Sequence, residues 1–347
     1  MIGVDIEIRE LKEADTANWD DFVVRHPHAS PFHLIAWKRT IEESFGYRAV
    51  YLFAADDRAI RGVLPLFLVE NWIIGKALIS SPFAVYGGIL ADSKEALRGL
   101  HAHVVKLGEQ LGVEHIELRN RYREQCLSEP NVNRYVAFNQ PVVSDEAALL
   151  ESLPKKTRNA VRKSLKQGFE VRYRVGTLQN FEVLMARNMR RLGTPMFPSQ
   201  YFARLIHYFG NTVDIREVWL GNKPMAASIN LLFRGEMHTY HAAAATEYNT
   251  LGPNTFMYFD HLRWAGANGF TLFDFGRCKR GTGVFEFKRH WNTTMHELPY
   301  EVVLIRRKEV PNFSPTNPRF EAAIRLWRLL PLWITRLIGP KVIRLFP

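Results

Sequence analysis

Leu111-Gly-Val-Glu-His-Ile-Glu-Leu118 and Asn268-Gly-Phe-Thr-Leu-Phe-Asp-Phe275 read as the same unit, each placing a glycine where a helix stops and a strand begins. Upstream of the first copy, a helix covers about 94–111, a strand lies near Ile79, and a hairpin joins Ala49–Ala54 to Gly62–Leu68 across Asp56-Asp57. Upstream of the second, a helix covers about 255–267, a strand runs from Met237 to Ala244, and a hairpin joins Val213–Leu220 to Ala226–Leu232 across Gly221-Asn222. Hairpin, third strand, helix, glycine and parallel strand thus occur twice. Helices crossing between strands imply an α/β architecture, and the matched order implies duplication. A chain of 347 residues suits two domains of roughly 150 residues each. The expected division is 1–150, 151–310 and a C-terminal segment, 311–347, entered through the linker-like Pro311-Asn-Phe-Ser-Pro-Thr-Asn-Pro318.

Hydrophobic residues at 47% and charged residues at 23% are globular values and exclude a disordered or fibrous chain. Cys126 and Cys278 are the two cysteines, too few for a disulfide framework and without ligand spacing, so no metal site is expected. The opening Met1-Ile-Gly-Val-Asp-Ile-Glu7 has no apolar signal region, and no run of about 18 apolar residues occurs, so the expected location is cytoplasmic. Val63–Val69, the richest apolar stretch, reads as one buried strand. A net charge of +11 points to anionic company: nucleic acid, a nucleotide-linked substrate or an anionic membrane face.

GxxxxGK[ST], a strand-associated GxGxxG, HExxH and GxSxG are all missing, which removes the usual support for ATP, NAD, zinc-hydrolase and α/β-hydrolase chemistry. Two constellations remain. A helix over 154–168 carries Lys155, Lys156, Arg158, Arg162, Lys163 and Lys166 on one side, with Val161 and Leu165 opposite and no acid between them. Like charges at i,i+4 repel, which a bound phosphate would relieve; a solvated face is the plainer reading. The second is the stretch from Phe273 to Trp291. A buried strand delivers Asp274, breaks at Gly276, and is followed by Arg277, two further glycines and Lys288 between Phe287 and Trp291. Strand C-terminal ends are where α/β sheets hold ligands. The alternative is an Asp274–Arg277 structural pair with Lys288 in solvent. His238 and Tyr240 share a strand face, and a core or rim role suits them better than metal binding. His33, near a helix start, reads as structural.

These residues resemble the Fem-type (FemAB-like) peptidoglycan-bridge transferases of the tandem-GNAT group. The likeness runs from about Pro27 to Trp291, through the stretches 26–46, 158–171, 251–277 and Gly283-Val-Phe-Glu-Phe-Lys-Arg-His-Trp291. The stretch 187–202, RNMRRLGTPMFPSQYF, is similar to the subgroup associated with exosortase (PEP-CTERM) and exopolysaccharide systems. The resemblance implies two GNAT-like domains, no resident cofactor, and transfer of an activated acyl or aminoacyl group to an amine of an anionic cell-envelope precursor. It places Phe287 and Lys288 near the reacting carbonyl and gives Arg158 and Arg162 the anionic parts of the substrates. Where CoA-using GNAT enzymes carry a Q/RxxGxG/A loop, this chain reads Tyr248-Asn-Thr-Leu-Gly-Pro-Asn254. The donor is left between aminoacyl-tRNA, an acyl carrier and CoA.

On this reading Lys288 and Asp274 are the catalytic candidates, as oxyanion donor and proton acceptor. Phe287, Arg277, Arg158, Arg162, Tyr240 and Trp291 are the substrate-binding candidates. A non-catalytic scaffold or nucleic-acid binder is the alternative from another class. The segment 319–347 carries Phe320, Ile324 and Trp327 at helical spacing among arginines, an arrangement suited either to peripheral membrane contact or to packing on the body.

Overall fold

A computed structural model describes residues 6–131, 135–173, 177–311 and 320–347. The chain begins with β1 (Glu7–Glu10), α1 (Thr16–Arg25) and α2 (Ile35–Phe45). Then come β2 (Arg48–Ala49), β3 (Leu52–Ala55), β4 (Ile60–Leu64), β5 (Leu66–Asn71), β6 (Gly75–Ser80) and β7 (Leu90–Ala91), followed by α3 (Lys94–Leu111) and β8 (His115–Arg119). After β9 (Val136–Pro141) the chain forms α4 (Glu146–Ser152), α5 (Lys155–Leu165), β10 (Glu170–Tyr173), α6 (Gln179–Leu192) and α7 (Ser199–Phe209). The second repeat is β11 (Val213–Leu220), β12 (Lys223–Phe233), β13 (Glu236–Ala244), α8 (Pro253–Ala267) and β14 (Leu272–Cys278). It is completed by α9 (Gly283–Arg289), β15 (Thr294–Glu297) and β16 (Tyr300–Leu304), and the chain closes with α10 (Glu321–Leu329) and α11 (Leu332–Ile343).

Both copies of the quoted unit form a helix, a left-handed glycine and a strand parallel to the one before the helix. Gly112 caps α3 at φ +63° and Gly269 follows α8 at φ +76°. β6 pairs parallel with β8, and β13 parallel with β14. The strands that flank these pairs are exchanged. β9 follows β8 in sequence but pairs antiparallel with β14, while β16 follows β14 and pairs antiparallel with β8. The cut at 150 therefore runs through both of these sheets, because each takes a strand from the other side of it.

One buried strand over Val63–Val69 was the expectation. Pro65 instead splits it into β4 and β5, which lie in different sheets. Proline has no N–H for the ladder, so the strand changes sheets where the ladder must break. The partner strand breaks in the same way between β2 and β3. Among the described residues the result is a four-stranded sheet (β1-β3-β4-β7), a five-stranded sheet (β16-β8-β6-β5-β2) and a seven-stranded sheet (β10-β11-β12-β13-β14-β9-β15).

One apolar core lies under α3 and another under α8, the latter including Tyr258, Phe275 and Trp291. The third runs across the two halves, joining Phe32, Trp37 and Tyr86 to Phe181, Phe202 and Tyr300. Burying such side chains contributes about 1.5–3 kcal/mol each, so the halves are fused by the same force that folds each one.

Candidate active site

β14 does not stop at Gly276. It bulges between Asp274 and Arg277 and resumes against β9, pairing Arg277 with Ala137 and Cys278 with Val136. Gly276 takes φ +73° in the bulge, and a Cβ there would stand 3.3 Å from the Thr239 carbonyl oxygen. Gly276→Ala is expected to cost about 1–2 kcal/mol through the left-handed backbone alone, read as a lower urea midpoint with an unchanged slope.

The bulge turns two carbonyls toward α9. Lys288 Nζ donates to Gly276 O at 2.8 Å and to Arg277 O at 3.1 Å. The side chain is 4% exposed, and burial lowers its pKa from 10.5 to about 8. Thr282 caps α9 by accepting from Phe285 N at 3.2 Å, which fixes the helix that presents Lys288. An ammonium has three N–H groups, and two are committed to these carbonyls.

Asp274 is not an open proton acceptor. Its Oδ1 accepts from Gly276 N at 2.6 Å and its Oδ2 from Tyr86 Oη at 2.8 Å, while His238 Nδ1 lies 3.3 Å from Oδ2. Burial alone would raise the carboxyl pKa, but His238, Arg121 and Tyr86 together hold it well below the ordinary value. Across the imidazole, His238 Nε2 lies 3.1 Å from Glu236 Oε2, an ion-pair distance without hydrogen-bond alignment. Arg121 Nη2 donates to Glu236 Oε2 at 3.0 Å and its guanidinium stands 4.9 Å from the centre of the Tyr86 ring. Burial would lower the His238 pKa, yet Asp274 and Glu236 outweigh it and the value is raised. Arg121 and His238 thus face two carboxylates in a closed, largely buried circuit that spans both halves.

Sequence reasoning singled out Asp274 and His238 from this circuit and missed Tyr86, Arg121 and Glu236. Tyr86 and Asp274 are 188 residues apart, and no local pattern joins them. The loop that delivers Tyr86 holds Ser81 at φ 44° and Phe83 at φ 65°, left-handed conformations that non-glycine residues adopt at a cost.

Arg277 points the other way, into a cavity of about 340 Å³. Its Nη1 donates to Tyr300 Oη at 3.0 Å and its guanidinium stands 4.7 Å from the Tyr135 ring centre. Phe83, Arg119, Phe197, Ile324 and Trp327 also line this space. The walls are mostly apolar and aromatic and the cationic groups few, the usual make-up of a small-molecule pocket.

The remaining candidates are dispersed. Tyr240 sits at a β-bulge of β13, where Asn230 pairs with Thr239 and Ile229 with His241. The extra residue breaks the alternation, so Tyr240 and His241 both join the nest around Tyr201. Trp291, expected to touch substrate, is 3% exposed inside the second-half core. Phe287 is half-buried against Tyr258 and Trp291. His33 is buried, with Nδ1 accepting from Ser30 N at 3.2 Å and Nε2 facing Gly88 O at 3.1 Å, a structural position.

The basic helix does not join the site. α5 is tied to the end of α9 by a hydrogen bond from Thr157 Oγ1 to His290 O, but its arginines turn back to α4. Arg158 reaches Glu151 Oε2 at 2.5 Å and Arg162 reaches Glu151 Oε1 at 2.7 Å. The acid that relieves their repulsion stands outside the helix, where a scan of the helix alone does not find it. Leu165, assigned to the apolar side, is 41% exposed; Thr157, Val161 and Ser164 form the buried side. Asp274 and Lys288 thus meet at one bulge, while Arg158 stands apart from both them and the cavity.

The FemAB family model matches residues 78–216, and a model described as an acetyltransferase (GNAT) domain matches residues 152–289. The chain is an acyltransferase that resembles the FemAB family over residues 78–216. No curated protein sequence matches it. The chain superposes on the crystal structure of FemX with a TM-score of 0.69 at 15% identity, covering 92% of this chain and all of the other. It is also similar to the C-terminal domain of a putative lysylphosphatidylglycerol synthetase from Agrobacterium fabrum, with a TM-score of 0.55 at 11% identity, covering 90% and 94% of the two chains. A tandem GNAT protein from the clavulanic acid biosynthesis pathway gives 0.52 at 9% identity, covering 88% and 100%. These likenesses establish a tandem GNAT fold for the chain, and no described helix is long and apolar enough to cross a membrane.

Proposed function

We propose that this chain transfers an activated acyl or aminoacyl group to an amine of an anionic cell-envelope or exopolysaccharide precursor, with the reaction centred on the β14 bulge. The observation that carries this is the junction at Arg277. Its side chain lines the cavity, while its carbonyl, with that of Gly276, holds the buried ammonium of Lys288. The amine attacks the donor carbonyl, a carbon–nitrogen bond forms, and the carbon–oxygen or carbon–sulfur bond of the donor breaks. The amine proton ends on the leaving group. Lys288 offers its third N–H to the oxyanion, and Arg277 holds an anionic part of a substrate. Asp274 acts as a positioning residue: by accepting from Gly276 N it shapes the bulge whose carbonyls hold Lys288.

The FemAB match supports aminoacyl transfer, and a fold neighbour named for lysylphosphatidylglycerol synthesis supports an anionic acceptor. Thermal-shift measurements with aminoacyl-tRNA, an acyl-carrier thioester and acyl-CoA identify the donor, because only a ligand bound to the folded chain raises Tm. With that donor, turnover is expected to fall as pH rises through about 8, where Lys288 loses its proton. In Lys288→Arg the falling limb disappears. A rate that instead climbs through this range makes the neutral amine the active form and overturns the oxyanion role.

A further inference from the structure

The C-terminal hairpin of α10 and α11 has two faces of different character. Its inner face is docked: Ile324 packs on Gly193, Gly339 lies against Met196, and Thr335 and Ile343 are buried. Phe320, Ile324 and Trp327, the residues whose helical spacing suggested membrane contact, line the cavity instead. The outer face presents Leu326 at 62%, Leu329 at 81%, Trp333 at 67% and Leu337 at 69% exposure, two on each helix either side of the Pro331 turn. The exposed cations Arg325, Arg336 and Lys341 lie on the same two helices, Arg328 turns inward to donate to Leu192 O at 3.3 Å, and Glu321, paired with Arg325, is the one acid in the hairpin.

We infer that this outer face seats the protein on an anionic lipid bilayer. Four large apolar side chains on one hairpin are more exposed surface than a soluble face carries without a partner. Leucines and a tryptophan on helices that also carry exposed cations match the layered chemistry of a membrane interface, where rings and aliphatic groups enter the headgroup boundary and cations meet lipid phosphates. A second copy of the chain fits less well, because a two-fold contact would set the cations Arg325, Arg336 and Lys341 of one copy near those of the other. Seated this way, the two helices that wall the cavity on one side lie on the lipid surface with the other. The inference concerns binding alone and stands independently of the transfer chemistry.

Sedimentation of the full chain with vesicles tests it, comparing phosphatidylcholine alone with an equal mixture of phosphatidylcholine and phosphatidylglycerol. The chain is expected to partition at least about tenfold more strongly onto the anionic vesicles, an advantage that added salt removes. The double variant Leu329→Asp/Trp333→Asp, whose side chains are exposed, is expected to keep its Tm and lose at least about tenfold in partition. Wild-type protein left in the supernatant, or variant and wild type pelleting equally, overturns the inference. So does light scattering that finds a dimer in the wild type and a monomer in the variant, since a second copy then covers the face.

Discussion

Replacing Lys288 by methionine is expected to lower kcat by roughly 10²–10³-fold, the usual cost of removing one oxyanion donor, with KM nearly unchanged. The substitution leaves Gly276 O and Arg277 O without their shared donor, a loss of about 1–3 kcal/mol. It also removes a buried ammonium whose desolvation opposes folding, so the two effects offset and the variant folds. Steady-state rates and thermal unfolding on the same samples separate chemistry from stability. A kcat within threefold of the wild type, in a variant with native Tm, takes Lys288 out of the reaction.

Asp274→Ala acts on the fold. It leaves His238 and Arg121 facing Glu236 alone in a largely buried site, and breaking a buried ionic set from one side costs about 3–5 kcal/mol. The expected loss in Tm is about 4–7 °C. The pH dependence carries a sign that identifies the cause. Asp274 has a folded pKa below its ordinary 3.8, so its contribution is present above that value and is lost as pH falls. His238 has a folded pKa above its ordinary 6.5, so its contribution is full below 6.5 and is lost as pH rises through the folded value. Wild-type and variant urea midpoints should therefore differ most between these two limits and converge outside them. A difference that is flat from pH 3 to 9 assigns the destabilisation to a cavity and not to the charge circuit.

The extent to which this site was legible follows from where each partner lies. Asp274, Gly276, Arg277 and Lys288 fall within fifteen residues, and a strand, a glycine and a following lysine in that order mark a site without any tertiary information. What that segment does with them was not legible. Asp274 read as a proton acceptor or as a partner of Arg277 because Tyr86, which donates to it, comes from the other half of the chain. Arg158 and Arg162 looked like an unrelieved cationic face because Glu151 belongs to the preceding helix. Tyr240 and His241 looked like opposite faces of a strand because a bulge leaves no mark in a period-two pattern.

The sequence by itself determined the duplicated α/β plan, since helix and strand periodicity, proline and glycine act over a few residues and do so wherever they occur. It determined also that Asp274, Gly276, Arg277 and Lys288 come from one short segment. Tertiary structure alone decided the exchange of β9 and β16, the closing of the Tyr86–Asp274–His238–Glu236–Arg121 circuit, and which face of the C-terminal hairpin meets solvent. Burial and charge pairing depend on distances in space between residues far apart in the chain, and those distances exist only once the two halves have packed.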